Sequence, residues 1–157
     1  MYFSGQHGRL EIATVGESLQ SVGRLKNWSY STQQQTLDTT CLADVDKTII
    51  NGVRSTTGQA SLLYYEESLS NAKLMGKNLI KIGNDAAATN PDFGSSAQEP
   101  TLCIIKLSLP GGEGGTDKRT TAMYAYITSF SMTCTVGEVV TAEISWEATG
   151  APFLWNY

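Results

Sequence analysis

His7 is the single histidine of the chain, so any Ser-His-Asp or Cys-His relay would have to be built around it. Nothing in the neighbouring sequence orients that imidazole, and a surface or interface position accounts for it more simply. His7 with Cys41, Cys103 and Cys134 has the composition of a Cys₃His zinc set, but the paired short spacings of such sites are absent. Asp44-Val45-Asp46 opens like a calcium loop and then lacks the required glycine and terminal glutamate. The glycines at 111, 112, 114 and 115 follow Pro110 and precede a strand pattern, whereas glycines that cradle phosphate open a helix. Glu66-Glu67 and the Glu143, Glu147 pair have the composition of acid–base carboxylates. Four residues along a strand, however, separate the second pair by roughly 13 Å, beyond the roughly 5–9.5 Å that paired glycosidase carboxylates use. The residues therefore lead us to expect no catalytic side chain, no metal site and no cofactor. The chain is expected not to be an enzyme.

Composition narrows the class further. A chain of 157 residues with 41% hydrophobic and 17% charged residues suits one ordinary domain with a buried core. Low charge density also suits surface that is buried against neighbours. A formal net charge of −4, with basic residues scattered and Lys118-Arg119 their tightest grouping, argues against a broad phosphate-binding face. No stretch is long and apolar enough to span a bilayer as a helix. The opening MYFSGQHGRLEI lacks the basic and apolar regions of a secretory signal, so synthesis in the cytoplasm is expected. Three widely spaced cysteines make a poor disulfide framework and read as reduced, mostly buried thiols. Without a secretory route, the Asn27-Trp28-Ser29 sequon is coincidental.

Period-two alternation dominates the elements that would position these residues. HGRLEIAT (7–14) sets Leu10 and Ile12 on one face, and GRLKNWSYS (23–31) aligns Trp28 with Tyr30. VRSTTGQASLLYYEE (53–67) places Ala60, Leu62 and Tyr64 together, and TLCIIKLSL (101–109) resumes strand character. SNAKLMGKNLIKIG (70–83) is the one good helix candidate, with Ser70 as cap and Gly83 after its end. Long loops are expected at 38–52, 84–100 and 110–118 within a single domain covering 1–157.

The last third carries the clearest pattern. Strands 119–133 and 138–148 flank a short link at 134–137 and should form an antiparallel hairpin. In the second strand Val140, Ala142, Ile144, Trp146 and Ala148 form an apolar face opposite Thr141, Glu143, Ser145 and Glu147. In the first, Ala122, Tyr124, Tyr126, Phe130 and Met132 line up as the core side. The expected core therefore includes Leu10, Ile12, Leu62, Tyr64, Tyr124, Tyr126, Phe130, Val140, Ile144 and Trp146. The fold expected is mainly β: an antiparallel β-sandwich or half-barrel with one packed helix at 70–83.

Three segments together resemble one family. LDTTCLADVDKTIINGVRSTTGQASLLYY (37–65) pairs a strand ending in LDTT with an acidic loop and a strand ending in aromatics. GRLEI…LKNWSYS (8–31) is similar to the same family's opening, and SFSMTCTVGEVVTAEISWEATGAP (129–152) to its closing hairpin. In order and content they resemble the major tail tube proteins of long-tailed bacteriophages, the lambda-like tail tube proteins, whose architecture recurs in type VI secretion tubes. The segments quoted depart from the secretion-tube pattern, so the viral reading leads. The resemblance implies a structural subunit whose sheet is extended by neighbours into a ring barrel. Rings of six would stack around a lumen that delivers the genome, in the tail of a virion. Implied partners are further copies of the chain, a tape-measure protein and tail-end proteins, with DNA passing transiently and unbound and no membrane involved.

On that reading Thr141, Glu143, Ser145 and Glu147 are expected to face the channel, where acidic and hydroxyl groups repel phosphate instead of trapping it. Asp38, Asp44, Asp46, Lys47 and Arg54 are expected to supply inter-subunit or inter-ring contacts. The rival reading is a β-sandwich adhesin or carbohydrate-binding module using Trp28, Tyr30, Tyr64, Tyr65, Tyr124, Tyr126, Trp146 and Trp155 as stacking platforms. Core packing is the commoner fate of aromatics on alternating strand faces.

Overall fold

The computed structural model of the protein describes residues 8–22, 25–63, 102–110 and 118–155. Tyr64, Tyr65 and Glu66-Glu67, the helix expected at 70–83, the loop expected at 84–100, most of the tip at 110–118 and His7 all lie outside them. Among the described residues the chain forms β1 (Arg9–Thr14), β2 (Gln20–Ser21), β3 (Leu25–Asp38), β4 (Ile49–Leu63), β5 (Cys103–Pro110), β6 (Lys118–Thr133), β7 (Thr141–Ala148) and β8 (Phe153–Trp155). They make one antiparallel sheet in the order β2-β1-β5-β6-β7-β4-β3, with β8 added on β6.

β6 is the strand on which the sheet turns. Its first half pairs with β5 down to the Cys103–Ala125 register, and its second half pairs with β7 from Ala125 to Thr133. β8 joins the first half at Thr120–Ala122. The sheet then curls over itself. Tyr30 Oη on β3 lies 3.2 Å from Thr121 Oγ1 on β6, although β7 and β4 separate those strands in the sheet order. The result is a half-barrel with the core inside the curl.

That core is what period-two alternation produces when strands from both limbs of the curl aim one face inward. Leu10 and Ile12 of β1 meet Cys103, Ile105 and Leu107 of β5, Met123, Ala125 and Ile127 of β6, Ala142, Ile144 and Trp146 of β7, and Ala60 and Leu62 of β4. Trp28 and Tyr30, stacked with centroids 6.4 Å apart, close the open side together with Leu25 and Phe130. Trp146 is the largest side chain in the cluster, and its Nε1 has no hydrogen-bond partner among the described residues, so apolar contact alone holds it there. Its indole lies directly over Gly58, its register partner on β4. A Cβ at Gly58 would overlap the ring, which is the reason a strand interior tolerates glycine here.

The face assigned to β6 from sequence needs correction. Tyr124 and Tyr126 are exposed, each 42%, while Met123, Ala125 and Ile127 are buried. The cause is a bulge: Ile127 pairs with Trp146 but Ser129 pairs with Ser145, so Thr128 is an extra residue on β6. An extra residue reverses which parity faces the core. Phe130 therefore packs half-buried on the core, opposite Ile144, and the same parity carried back across the bulge puts the two tyrosines outside.

Three further differences have local causes. The β6–β7 link runs from 134 to 140, because Thr133 and Thr141 make the last ladder pair and Glu138 N–H bonds to the Thr135 carbonyl in a turn with Gly137 at φ 85°. Val140, expected in the core, is thus outside the strand and half-buried. The loop expected at 38–52 shrinks to 39–48, since Asp38 pairs with Ile49 and a second bulge absorbs Gly52 and Val53 opposite Gln35. Of the cysteines only Cys103 is buried, whereas Cys41 and Cys134 sit exposed in the two turns.

Overpacking a tight contact usually costs about 1–3 kcal/mol. Gly58→Ala is expected to lower stability by at least about that much, read as a lower urea midpoint at unchanged m-value, because the methyl group must displace a buried indole.

Candidate functional site

The two sides of β7 separate as alternation demands. Ala142, Ile144 and Trp146 are buried, Glu143 and Glu147 are exposed, and Thr141 and Ser145 are half-buried on the outward side. Cross-strand register extends that outward side into a polar carpet. One row is Ser131, Glu143, Ser61 and Asn27; the next is Ser129, Ser145, Gln59 and Ser29; a third is Tyr126, Glu147, Thr57 and Ser31. No residue in these rows is basic. A shallow groove of about 530 Å³ runs across them, bordered by Ser29, Ser31, Thr57, Gln59, Ser145 and Glu147.

The strands under this carpet, the second half of β6 with β7, β4 and β3, end in open edges. The outer edge of β3 has no strand beside it, and neither does β6 beyond Ala125 on the side away from β7, among the described residues. Both edges present backbone N–H and C=O groups able to pair with another chain. Four antiparallel strands make the two edges run in opposite directions.

β3 and β4 continue past the body as a two-stranded arm. β7 accompanies β4 only from Thr57 to Leu63, so residues 31–38 and 49–56 pair chiefly with each other. The tip at 39–48 is tied down by its own side chains. Asp38 Oδ1 accepts from the Thr40 N–H at 2.9 Å and its hydroxyl at 2.6 Å, and Thr48 N–H donates to Thr40 Oγ1 at 3.0 Å. Thr39 N–H reaches the Thr48 carbonyl, and Asp44 Oδ2 accepts from the Cys41 N–H at 2.7 Å. Lys47 Nζ stands 3.7 Å from Asp38 Oδ2. The Thr40 hydroxyl, then the Thr40 N–H and the Lys47 ammonium, hold the Asp38 carboxyl below its ordinary value. This ordered tip carries Leu42 and Val45 fully in solvent, at 110% and 99% exposure, and Ile49, Ile50 and Val53 are exposed on the stem.

The residues expected to make inter-subunit contacts are thus brought onto one arm but given different roles. Asp38 and Lys47 pair with each other, Asp44 closes the turn, and the Asp46 and Arg54 side chains have no polar partner among the described residues. Sequence reasoning missed the exposed apolar residues of the arm, although LADV and the IINGV strand spell them out. It also missed the Glu11–Lys106 pair, 2.9 Å apart across β1 and β5. Among the described residues no group of three or more His, Cys, Asp and Glu side chains could hold a metal ion.

No family model matches this sequence, and no curated protein matches it either. Solved structures do match in shape. The tail of an empty gene transfer agent particle, refined with C6 symmetry, superposes with a TM-score of 0.64 at 13% identity, covering 97% of this chain and 98% of that one. The SPP1 tail tube superposes at 0.67 and 10% identity, covering 99% and 80%. The tube–sheath complex of an extracellular contractile injection system superposes at 0.58 and 15%, covering 95% and 89%. The chain has the tail-tube fold.

Asp38 is expected to act on the tip alone. A carboxyl whose value is depressed in the folded state contributes stability above its ordinary value of 3.8, lost as pH falls through the folded value. Asp38→Asn should therefore lower the protection factors of the Thr40 and Thr48 amides at pH 7, and acidification of the native protein below pH 3.8 should lower them too, once exchange is divided by its slower intrinsic rate in acid. The denaturation midpoint at pH 7 should stay unchanged, because the group is exposed.

Proposed function

We propose that the protein is the repeating structural subunit of a tail tube, closing with copies of itself into rings that stack around a lumen. The observation that carries this reading is the pair of open, oppositely running edges on a four-strand sheet whose outward rows across β6, β7, β4 and β3 are polar and contain no basic residue. Copies related by rotation about an axis would pair β3 of one with the second half of β6 of the next, antiparallel and with every edge group satisfied. The likeness to a gene transfer agent tail with C6 symmetry supports six copies per ring. Four strands from each of six copies would make a barrel wider than the roughly 16–18 strands that already leave an aqueous channel in porins.

In such a ring the carpet of Thr141, Glu143, Ser145 and Glu147 with its serine, threonine and glutamine neighbours lines the channel. Hydroxyls and carboxylates hydrate the wall and offer passing phosphates no counter-charge, so a nucleic acid moves through without counterion-release binding. The arm supplies contacts between copies, and a tape-measure protein and tail-end proteins complete the tail of a virion-like particle made in a bacterial host.

Assembled protein viewed by electron microscopy is expected as rings or tubes with Glu143 and Glu147 on the inner surface. Tubes carrying Glu143→Lys and Glu147→Lys should retain duplex DNA in a filter assay at about 50 mM salt and release it above about 500 mM, while the native tubes should not bind at either. A particle that remains a compact monomer at high concentration with its nucleating complex, or tubes with both glutamates turned into the wall, would remove the proposal.

A further inference from the structure

Resting on that reading, we infer that a cleft at the root of the arm receives the arm tip of a second copy, head to tail. The cleft, about 630 Å³, lies between the inner side of the arm and the segment leading into β8, and its walls are Arg54, Thr32 and Thr56 on one side and Ala151, Pro152 and Leu154 on the other. Thr32 Oγ1 and Thr56 Oγ1 bond to each other at 3.0 Å, which makes the wall they form polar but uncharged. Two features are left open: the Leu154 side chain, 56% exposed, and the Arg54 guanidinium, which has no anionic partner among the described residues. A cleft of this volume falls within the roughly 300–1,000 Å³ that receives a compact ligand, and it asks for one that is apolar and acidic together.

The tip has that composition. Leu42 and Val45 stand fully exposed, Asp46 has no partner, and the Asp38 charge is already met by Lys47, so the surplus charge at the tip is negative. The tip is also shaped in advance by the hydrogen bonds from Asp38 and Asp44, which lowers the ordering cost of docking. It cannot reach its own cleft. Thr56 and Ile49 are seven residues apart on one extended strand, which carries the tip about 23 Å or more beyond the cleft wall. A second copy displaced along the arm by about that distance would seat Val45 against Leu154 and Pro152 and bring Asp46 to Arg54. Tip and cleft are different patches, so the contact is heterologous and repeats without closing, as axial stacking requires and a two-fold dimer does not. Charge and apolar surface meet here at a desolvated spot, where truncating one partner costs most.

The experiment uses the full chain with Cys41→Ser and Cys134→Ser, carrying Val45→Cys and Leu154→Cys together or singly, assembled and then mildly oxidised. The double-cysteine chain is expected to run as a ladder of many covalent multimers on a non-reducing gel, and each single-cysteine chain as monomer and at most dimer. In a parallel set on the native background, Arg54→Glu should shorten tubes at least tenfold in mean length, and adding Asp46→Lys should restore most of that length. Normal tubes with no ladder, or tubes indifferent to Arg54→Glu, would overturn the tip-to-cleft contact while leaving the tube reading standing. A Val45→Cys chain that dimerises through Val45→Cys alone as completely as the double variant would show a tip-to-tip contact instead and overturn it too. No rings or tubes from the native chain would overturn both.

Discussion

The backbone groups along the outer edge of β3 and along the second half of β6 have to be satisfied somewhere, and within the described chain no strand satisfies them. Every unmade main-chain hydrogen bond in a long exposed edge is a standing invitation to another strand. Proteins that stay monomeric blunt such edges with prolines, inward charges or short strands. β3 is fourteen residues long and free of proline, its exposed middle is Ser31-Thr32-Gln33-Gln34-Gln35-Thr36, and its one lysine, Lys26, lies at the bulge near its start. The curl over the core keeps the sheet rigid enough to present two edges at a fixed angle, and the bulge at Thr128 lets one strand serve both limbs of that curl.

The core and the carpet are two sides of the same strands, so neither can be altered alone. The Trp146 indole fills the space over Gly58 on the inside, where a side chain on β4 would otherwise stand. One residue to either side, Ser145 and Glu147 stand in the outward rows. A change that pushes the indole outward would tilt the wall on the other face. This coupling is a general property of a one-layer wall with alternating side chains. It explains how such a sheet combines an oily interior with a hydrated surface while using few charges.

The arm balances exposure against order. Six apolar side chains of the tip and stem, Leu37, Leu42, Val45, Ile49, Ile50 and Val53, stand in solvent, more than a monomer usually tolerates in one projecting element. Yet the turn is held by nine hydrogen bonds among Asp38, Thr39, Thr40, Cys41, Asp44 and Thr48. Local hydrogen bonding fixes the shape of the tip, and the apolar side chains on that shape remain in solvent.

Much of this was legible in the residues themselves. Alternation in TAEISWEA assigns Ala142, Ile144 and Trp146 inward and Glu143 and Glu147 outward, and in RLEIAT it buries Leu10 and Ile12, because an uninterrupted strand has a period of two and nothing else. The lack of a histidine relay or a paired metal spacing is likewise a property of the chain as written. Other features belong to the tertiary structure alone. Tyr124 and Tyr126 look like core residues until the bulge at Thr128 reverses parity, and no local signal in YITSF marks that extra residue. The length of the arm, the open edges and the curl depend on which strands lie side by side. Contacts such as Tyr30 with Thr121, ninety-one positions apart, decide that, and a local pattern cannot encode it. Periodicity tells each strand which side to bury; only long-range pairing decides what each strand is buried against, and which edge is left over.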